Sequence, residues 1–220
     1  MKIVNISQEV KELIPDATLG IIHCRVKVEK SNEDLIKILH DTLGAAAEAL
    51  EGRNITDYPH IGGTRKAYRT LGKDPTKYRN SAEAMLRRAK QGKGLYHINN
   101  VVEVNNILSI ASGFSLGTYD TSKIGEEILL ERASEGSQYE GIGKELLNIE
   151  YFPALKDGSG YFGNPTSDST RAMITESTKE IMMVAYSFEG EAGLQELLDR
   201  GIELLKAQCS GDDFVKTIIH

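Results

Sequence analysis

The sequence predicts a single α+β domain, with a mainly helical N-terminal half and a mixed or antiparallel sheet built by the C-terminal half. Three observations lead there. Apolar residues recur at helical spacing in several stretches between residues 35 and 112. From residue 126 onward, short β-rich segments alternate with glycine-bearing turns. A chain of 220 residues with 40% hydrophobic and 26% charged side chains has the size and composition of one well-buried globular domain.

Residues 19–28 (LGIIHCRVKV) end with Cys24, Val26 and Val28 alternating on one face, as in a strand. Ser31 and Asn32 are N-cap candidates before Glu33 and Asp34. Leu35, Ile38, Leu39, Leu43, Ala46 and Leu50 then follow a helical period until Gly52. Residues 53–63 read as a loop, and a short helix over 64–71 is closed by Gly72. Lys73-Asp74-Pro75-Thr76 reads as a turn, because proline biases the preceding residue away from helix. Asn80 with Glu83 resembles a capping box and opens a helix over Ser81–Lys90 with Ala82, Met85, Leu86 and Ala89 on its apolar face. Residues 98–112 form a further apolar helix. Strands are expected at 126–132, 145–149, 152–156 and 180–187. An amphipathic helix over 190–207 places Leu194, Leu197, Leu198 and Leu205 in register.

Composition narrows the function classes. Two cysteines, Cys24 and Cys209, without a Cys-x-x-Cys pair, speak against a disulfide framework or a structural zinc site. Charges interrupt the first residues, and no apolar run reaches membrane-spanning length. The expectation is a cytoplasmic protein with no membrane partner. The net charge of −6 argues against a general binder of DNA or other nucleic acid, but the charge is segregated. Residues 65–94 hold ten basic side chains and only Asp74 and Glu83 as acids, a window of +8 that leaves −14 for the rest.

The usual catalytic signatures are silent. Gly158-Ser-Gly160-Tyr-Phe-Gly163 matches the dinucleotide pattern, but Asn164-Pro165 opposes the helix that pattern requires. There is no P-loop, H-E-x-x-H or G-x-S-x-G, and the five histidines are not spaced as a metal pair. Neither a metal nor a cofactor is expected.

Two segments carry information. In the first, Arg65, Arg69, Arg79, Arg87 and Arg88 are interleaved with Tyr68 and Tyr78. Guanidinium groups match phosphate and tyrosine stacks on bases, so this segment reads as an RNA contact or a wall of a ligand site. The equal alternative is a solvated helix face whose stems cover apolar surface. The second segment, 157–171, gathers small polar groups in a loop where glycines such as Gly160 allow close approach to a ligand.

Residues 99–190 resemble the B3/B4 domain, the editing domain of the bacterial phenylalanyl-tRNA synthetase beta subunit. Asn100-Val-Val-Glu-Val-Asn-Asn106 is similar to that family's Asn-Val-Val-Asp-Val-x-Asn, and Ser115-Leu-Gly-Thr-Tyr-Asp120 to its Pro-Leu-His-x-Phe-Asp. Residues 128–136 resemble its next strand and turn, and Ile174-Thr-Glu-Ser-Thr178 its entry to the last strand. Two blocks, Lys73-Asp-Pro-Thr-Lys-Tyr-Arg79 and Glu83-Ala-Met-Leu-Arg-Arg88, look like those of free-standing relatives, which extends the likeness over about 60–190. The resemblance implies a pocket that hydrolyses mischarged aminoacyl-tRNA. Asn106 would orient water near Ser169 and Thr170, and Asp168, Arg171, Gly160 and Tyr68 would hold the aminoacyl moiety. The arginines would hold the tRNA. Two positions depart: Gly117 falls where the family has a pocket histidine, and Met173 where it has a glutamate that recognises the tyrosine hydroxyl. A selection of tyrosine over phenylalanine therefore does not carry over. Two alternatives stand beside the deacylase: a non-catalytic tRNA-binding module, and a binder of a small amino-acid-like ligand or a protein.

Overall fold

The computed structural model describes residues 2–143 and 145–220. The helices are α1 (Gln8–Leu13), α2 (Glu33–Ala49), α3 (Ile61–Leu71), α4 (Ser81–Lys90), α5 (Asn100–Ser112) and α6 (Leu194–Cys209). The strands are β1 (Ile3–Ile6), β2 (Thr18–Arg25), β3 (Ser115–Asp120), β4 (Glu127–Arg132), β5 (Gln138–Glu140), β6 (Leu146–Asn148), β7 (Pro153–Asp157), β8 (Gly160–Gly163), β9 (Glu180–Ser187) and β10 (Asp212–Ile219).

Local chemistry sets the helix starts. Asn32, Asn80 and Asn99 each accept a hydrogen bond from a first-turn backbone N–H, at 2.8, 2.8 and 3.0 Å. Of the two cap candidates for α2, Asn32 takes the position, and the Ser31 hydroxyl donates instead to buried Glu103. Helix α3 begins at Ile61 rather than 64, with Gly62 and Gly63 inside its first turn. Gly63 packs closely against Glu189, whose carboxyl carbon lies 2.2 Å from where a Cβ would stand.

The strands form two four-stranded sheets and a hairpin. The first sheet is antiparallel, in the order β10-β2-β9-β3. The second runs β1-β4-β7-β8 and is mixed, because β1 pairs parallel to β4. Ile22, Cys24, Leu116, Met183 and Ala185 turn one face of the first sheet onto α2, α4, α5 and α6. Ile21, Tyr119, Met182, Val184 and Tyr186 turn its other face onto Ile128, Leu130, Leu155 and Phe162 of the second. The result is three layers: helices, sheet, sheet. Burial on both faces explains the unbroken apolar run of β9.

The α+β class and the main helices follow the sequence reading. Segment 157–171 differs: Gly160–Gly163 is a strand hairpinned to β7, not loop. Among the described residues, no helix is long and apolar enough to cross a membrane.

Candidate functional site

The site builds around the loop 164–168, which three tyrosines from three different elements hold in place, with a fourth bonded behind one of them. Tyr68 of α3 lies 2.8 Å from the Thr166 hydroxyl. Tyr139 of β5 donates to the Ser167 carbonyl at 2.5 Å and accepts from Asn164 Nδ2 at 2.6 Å. Tyr119 of β3 donates to Asp168 Oδ1 at 2.8 Å and lies 2.7 Å from the hydroxyl of Tyr186 on β9. Asn164 Oδ1 accepts from the backbone of Thr166 and Ser167, which sets the turn itself.

Asp168 is the electrostatic centre of this cluster. The residue is half-buried, but its carboxyl lies against the fully buried Tyr119. Burial pushes the carboxyl up to about 7, against the opposing pull of the Tyr119 hydrogen bond. Tyr119 and Tyr186 are in turn raised by burial and by the Asp168 charge. The Tyr119 hydroxyl fits because Gly117 and Gly163 flank it. A Cβ at either would stand 2.0 or 2.1 Å from that oxygen. Gly117 thus leaves room for the chain's own tyrosine hydroxyl.

The expected catalytic residues are only partly brought together. Ser169 is buried, and its Oγ accepts from the Arg171 N–H at 3.2 Å, capping the short 3-10 turn over 170–172. Thr170 Oγ1 donates to the Glu140 carbonyl at 3.5 Å. Asn106 is half-buried on α5, and among the described residues no hydrogen bond joins its side chain to Ser169 or Thr170. Its neighbour Asn105 accepts from Thr118 Oγ1 at 2.9 Å, one residue past Gly117 on the edge strand β3. Helix α5 and the 164–169 loop thus meet β3 at successive residues, from opposite faces.

Other expectations need correcting. The Arg171 guanidinium is not open to a substrate. It donates to both Asp157 carboxylate oxygens at 3.0 Å, and to the carbonyls of Gly160 and Lys123 at 3.0 Å. Gly160 is held within that clamp, with a φ of 117° that favours glycine. Tyr68 is fully buried, packs edge-on against Phe152 and has no face for a base. Met173 is 37% exposed, just past the 170–172 turn.

The basic window splits in two. Arg65 Nη1 donates to both oxygens of the fully buried Glu83, at 2.9 and 3.0 Å, so it is not free for RNA. Arg87 reaches the same carboxylate at 2.8 Å. Lys73 is buried over the rings of Tyr78 and Phe152. By contrast Lys66, Arg69, Lys77 and Arg79 are exposed, with no ion pair among the described residues. Among the described residues no group of three or more His, Cys, Asp or Glu gathers as metal ligands would. A concavity of about 610 Å³ near His23, Arg25, Asp120 and Lys179 involves none of the expected site residues.

The sequence reading missed Tyr119, Tyr139 and Tyr186. A signal was there: Asp168 is the only carboxylate between Asp157 and Glu176, and tyrosines on buried strands need partners for their hydroxyls.

Fold and site together define a three-layer α+β domain with a buried tyrosine–aspartate centre. Residues 63–198, more than half the chain, match the B3/4 domain, and the chain belongs to that family. It is similar in fold to the crystal structure of an N-terminal fragment of the phenylalanyl-tRNA synthetase beta-subunit from Pyrococcus horikoshii. The TM-score is 0.50 at 14% identity, over 99% of this chain and 50% of that one. The chain spans about half the length of that fragment. No curated protein matches the sequence.

Proposed function

We propose that this B3/4-domain protein acts in trans on aminoacyl-tRNA and hydrolyses the ester of a mischarged tRNA. The observation that carries the reading is Asp168. Its carboxyl, raised to about 7, can exchange a proton near neutral pH, which ester hydrolysis through an activated water requires. Membership of the B3/4 family and a fold shared with a synthetase subunit support the substrate class. In this reading Asp168 activates the water, Asn106 contacts the substrate from α5 on the other face of the edge strand β3, and Ser169 and Thr170 act by fixing the loop that carries Asp168. Lys66, Arg69, Lys77 and Arg79 hold the tRNA backbone. The Tyr119 hydroxyl occupies the space between Gly117 and Gly163, so an aminoacyl side chain entering there is small, or Tyr119 moves aside.

Purified protein, offered a panel of correctly and incorrectly charged tRNAs, is expected to release one amino acid selectively. Asn106→Ala and Asp168→Asn should each slow that release about tenfold or more, within the range general acid–base groups contribute. Selective release that both variants leave untouched would refute this site.

One observation favours a second reading, a non-catalytic tRNA-binding module: the Ser169 and Thr170 hydroxyls and the Arg171 guanidinium are all bonded within the fold. That module shows salt-sensitive tRNA binding and no release from any member of the panel.

A further inference from the structure

A groove of about 540 Å³ lies at the C-terminal end of α4, lined by Asn54, Ile55, Thr56, Arg87, Lys90 and Gln91. The helix N-terminus contacts the tyrosine-held loop through the Ser81 N–H, which donates to the Pro165 carbonyl at 2.7 Å. Ten residues of helix, about 15 Å, separate the two places. No carboxylate lines the groove. Its cations are only partly neutralised. Glu83 carries one negative charge against two from Arg65 and Arg87, so that trio retains a net positive charge. Lys90 is exposed, and among the described residues its ammonium bonds only to the Arg53 carbonyl. The helix end supplies about half a negative elementary charge, far less than Arg87, Arg88 and Lys90 together.

An exposed aromatic ring stands on the loop that leaves the same end of α4. Arg88, next to Arg87 on α4, donates to the Gly94 carbonyl at 3.0 and 2.6 Å and so ties down the loop that follows. Its guanidinium carbon lies 5.7 Å from the ring centroid of Tyr96, a residue 81% exposed. Amides, a hydroxyl and unneutralised cations in a groove suit phosphate oxygens, and an exposed ring on the loop that follows the helix suits a base.

We propose that this groove and Tyr96 form a binding site for single-stranded RNA, with the backbone phosphate at Lys90 and Arg87 and a base stacked on Tyr96. The proposal rests on the reading that the protein binds RNA, and adds a second contact to the α3 face.

The test is fluorescence anisotropy of a labelled single-stranded RNA heptamer and of a short RNA duplex, across a salt series. The proteins compared are the full chain, Lys90→Gln, Tyr96→Ala and, on the α3 face, Arg69→Gln. Lys90→Gln should weaken heptamer binding and make the salt slope shallower by about 0.7, the loss of one single-strand phosphate contact. Tyr96→Ala should weaken the heptamer about tenfold, leave the slope unchanged and spare the duplex. Heptamer binding that falls with Arg69→Gln, but with neither Lys90→Gln nor Tyr96→Ala, would overturn the groove site and leave the RNA reading intact. Absence of binding to either RNA by the unaltered chain would overturn both.

Discussion

Replacing Glu83 with alanine is expected to destabilise the protein by about 3–5 kcal/mol, the range for breaking a buried ion pair from one side. The carboxylate is fully buried and is the common acceptor for Arg65 and Arg87. The Arg65 side chain is only 12% exposed, and among the described residues its one other acceptor is the Pro75 carbonyl at 3.2 Å. Without Glu83 a guanidinium stays inside the fold with no counter-charge, which costs more than the pair contributes. The Arg87 side chain is 40% exposed and Glu83 keeps Arg65 without it, so Arg87→Ala should cost no more than about 1 kcal/mol. Replacing Arg65 and Glu83 together by apolar residues of similar volume should recover most of the loss. Urea denaturation of the four proteins separates these outcomes. A Glu83→Ala midpoint close to wild type would show that Arg65 finds water.

Stability should also fall as pH rises from about 5 to 7 through Asp168. The folded carboxyl titrates at about 7, against 3.8 for the unfolded group, so the folded protein holds that proton more tightly. The contribution is complete below about pH 3.8 and is lost as pH rises through about 7. One proton changes stability by at most about 1.4 kcal/mol per pH unit. Asp168 is half-buried as a residue, and water reaching it reduces the effect, so about 2 kcal/mol across the window is expected. Asp157 is shifted the other way: burial raises it, but the hydrogen bonds it accepts from Arg171 and from the Gly125 and Ser159 N–H groups outweigh burial and hold it below its ordinary value. The measured quantity is therefore the difference between wild type and Asp168→Asn. Asparagine keeps an acceptor for the Tyr119 hydroxyl but loses the proton, so the difference should favour wild type at pH 5 and shrink or reverse by pH 8. Parallel stability curves would show that the Asp168 carboxyl is not perturbed.

The parts of the fold that were legible are those decided within a few residues. Asn32 and Asn80 announce their helices because the capping partner is three residues away, and the leucines of α2 and α6 declare a buried face by their spacing. The parts that were not legible depend on distant pairing. Ile3–Ile6 is too short to signal a strand, and it becomes one by pairing with residues 127–130. Gly160–Gly163 reads as loop because of its glycines, one of which makes room for Tyr119. The same limit governed the site. Arg65 and Arg171 looked free because Glu83 and Asp157 lie 18 and 14 residues away and meet them only after packing. Asp168 was singled out, but its partner Tyr119 lies 49 residues earlier, and the Tyr186 that backs Tyr119 lies 67 residues beyond that tyrosine.

The position of β9 has a consequence for how the molecule is made. Strands β2 and β3 do not pair with each other, since β9 lies between them and bonds to both. A nascent chain emerging from the ribosome carries β2 and β3 long before residues 180–187 follow, with apolar surface meant for both neighbouring layers still open to water. The helical layer can begin to gather on local contacts, but the central sheet waits for its middle strand. The interval between the synthesis of residue 120 and residue 187 is therefore when this chain most needs a chaperone's shelter, and slow translation through that stretch should lower its soluble yield.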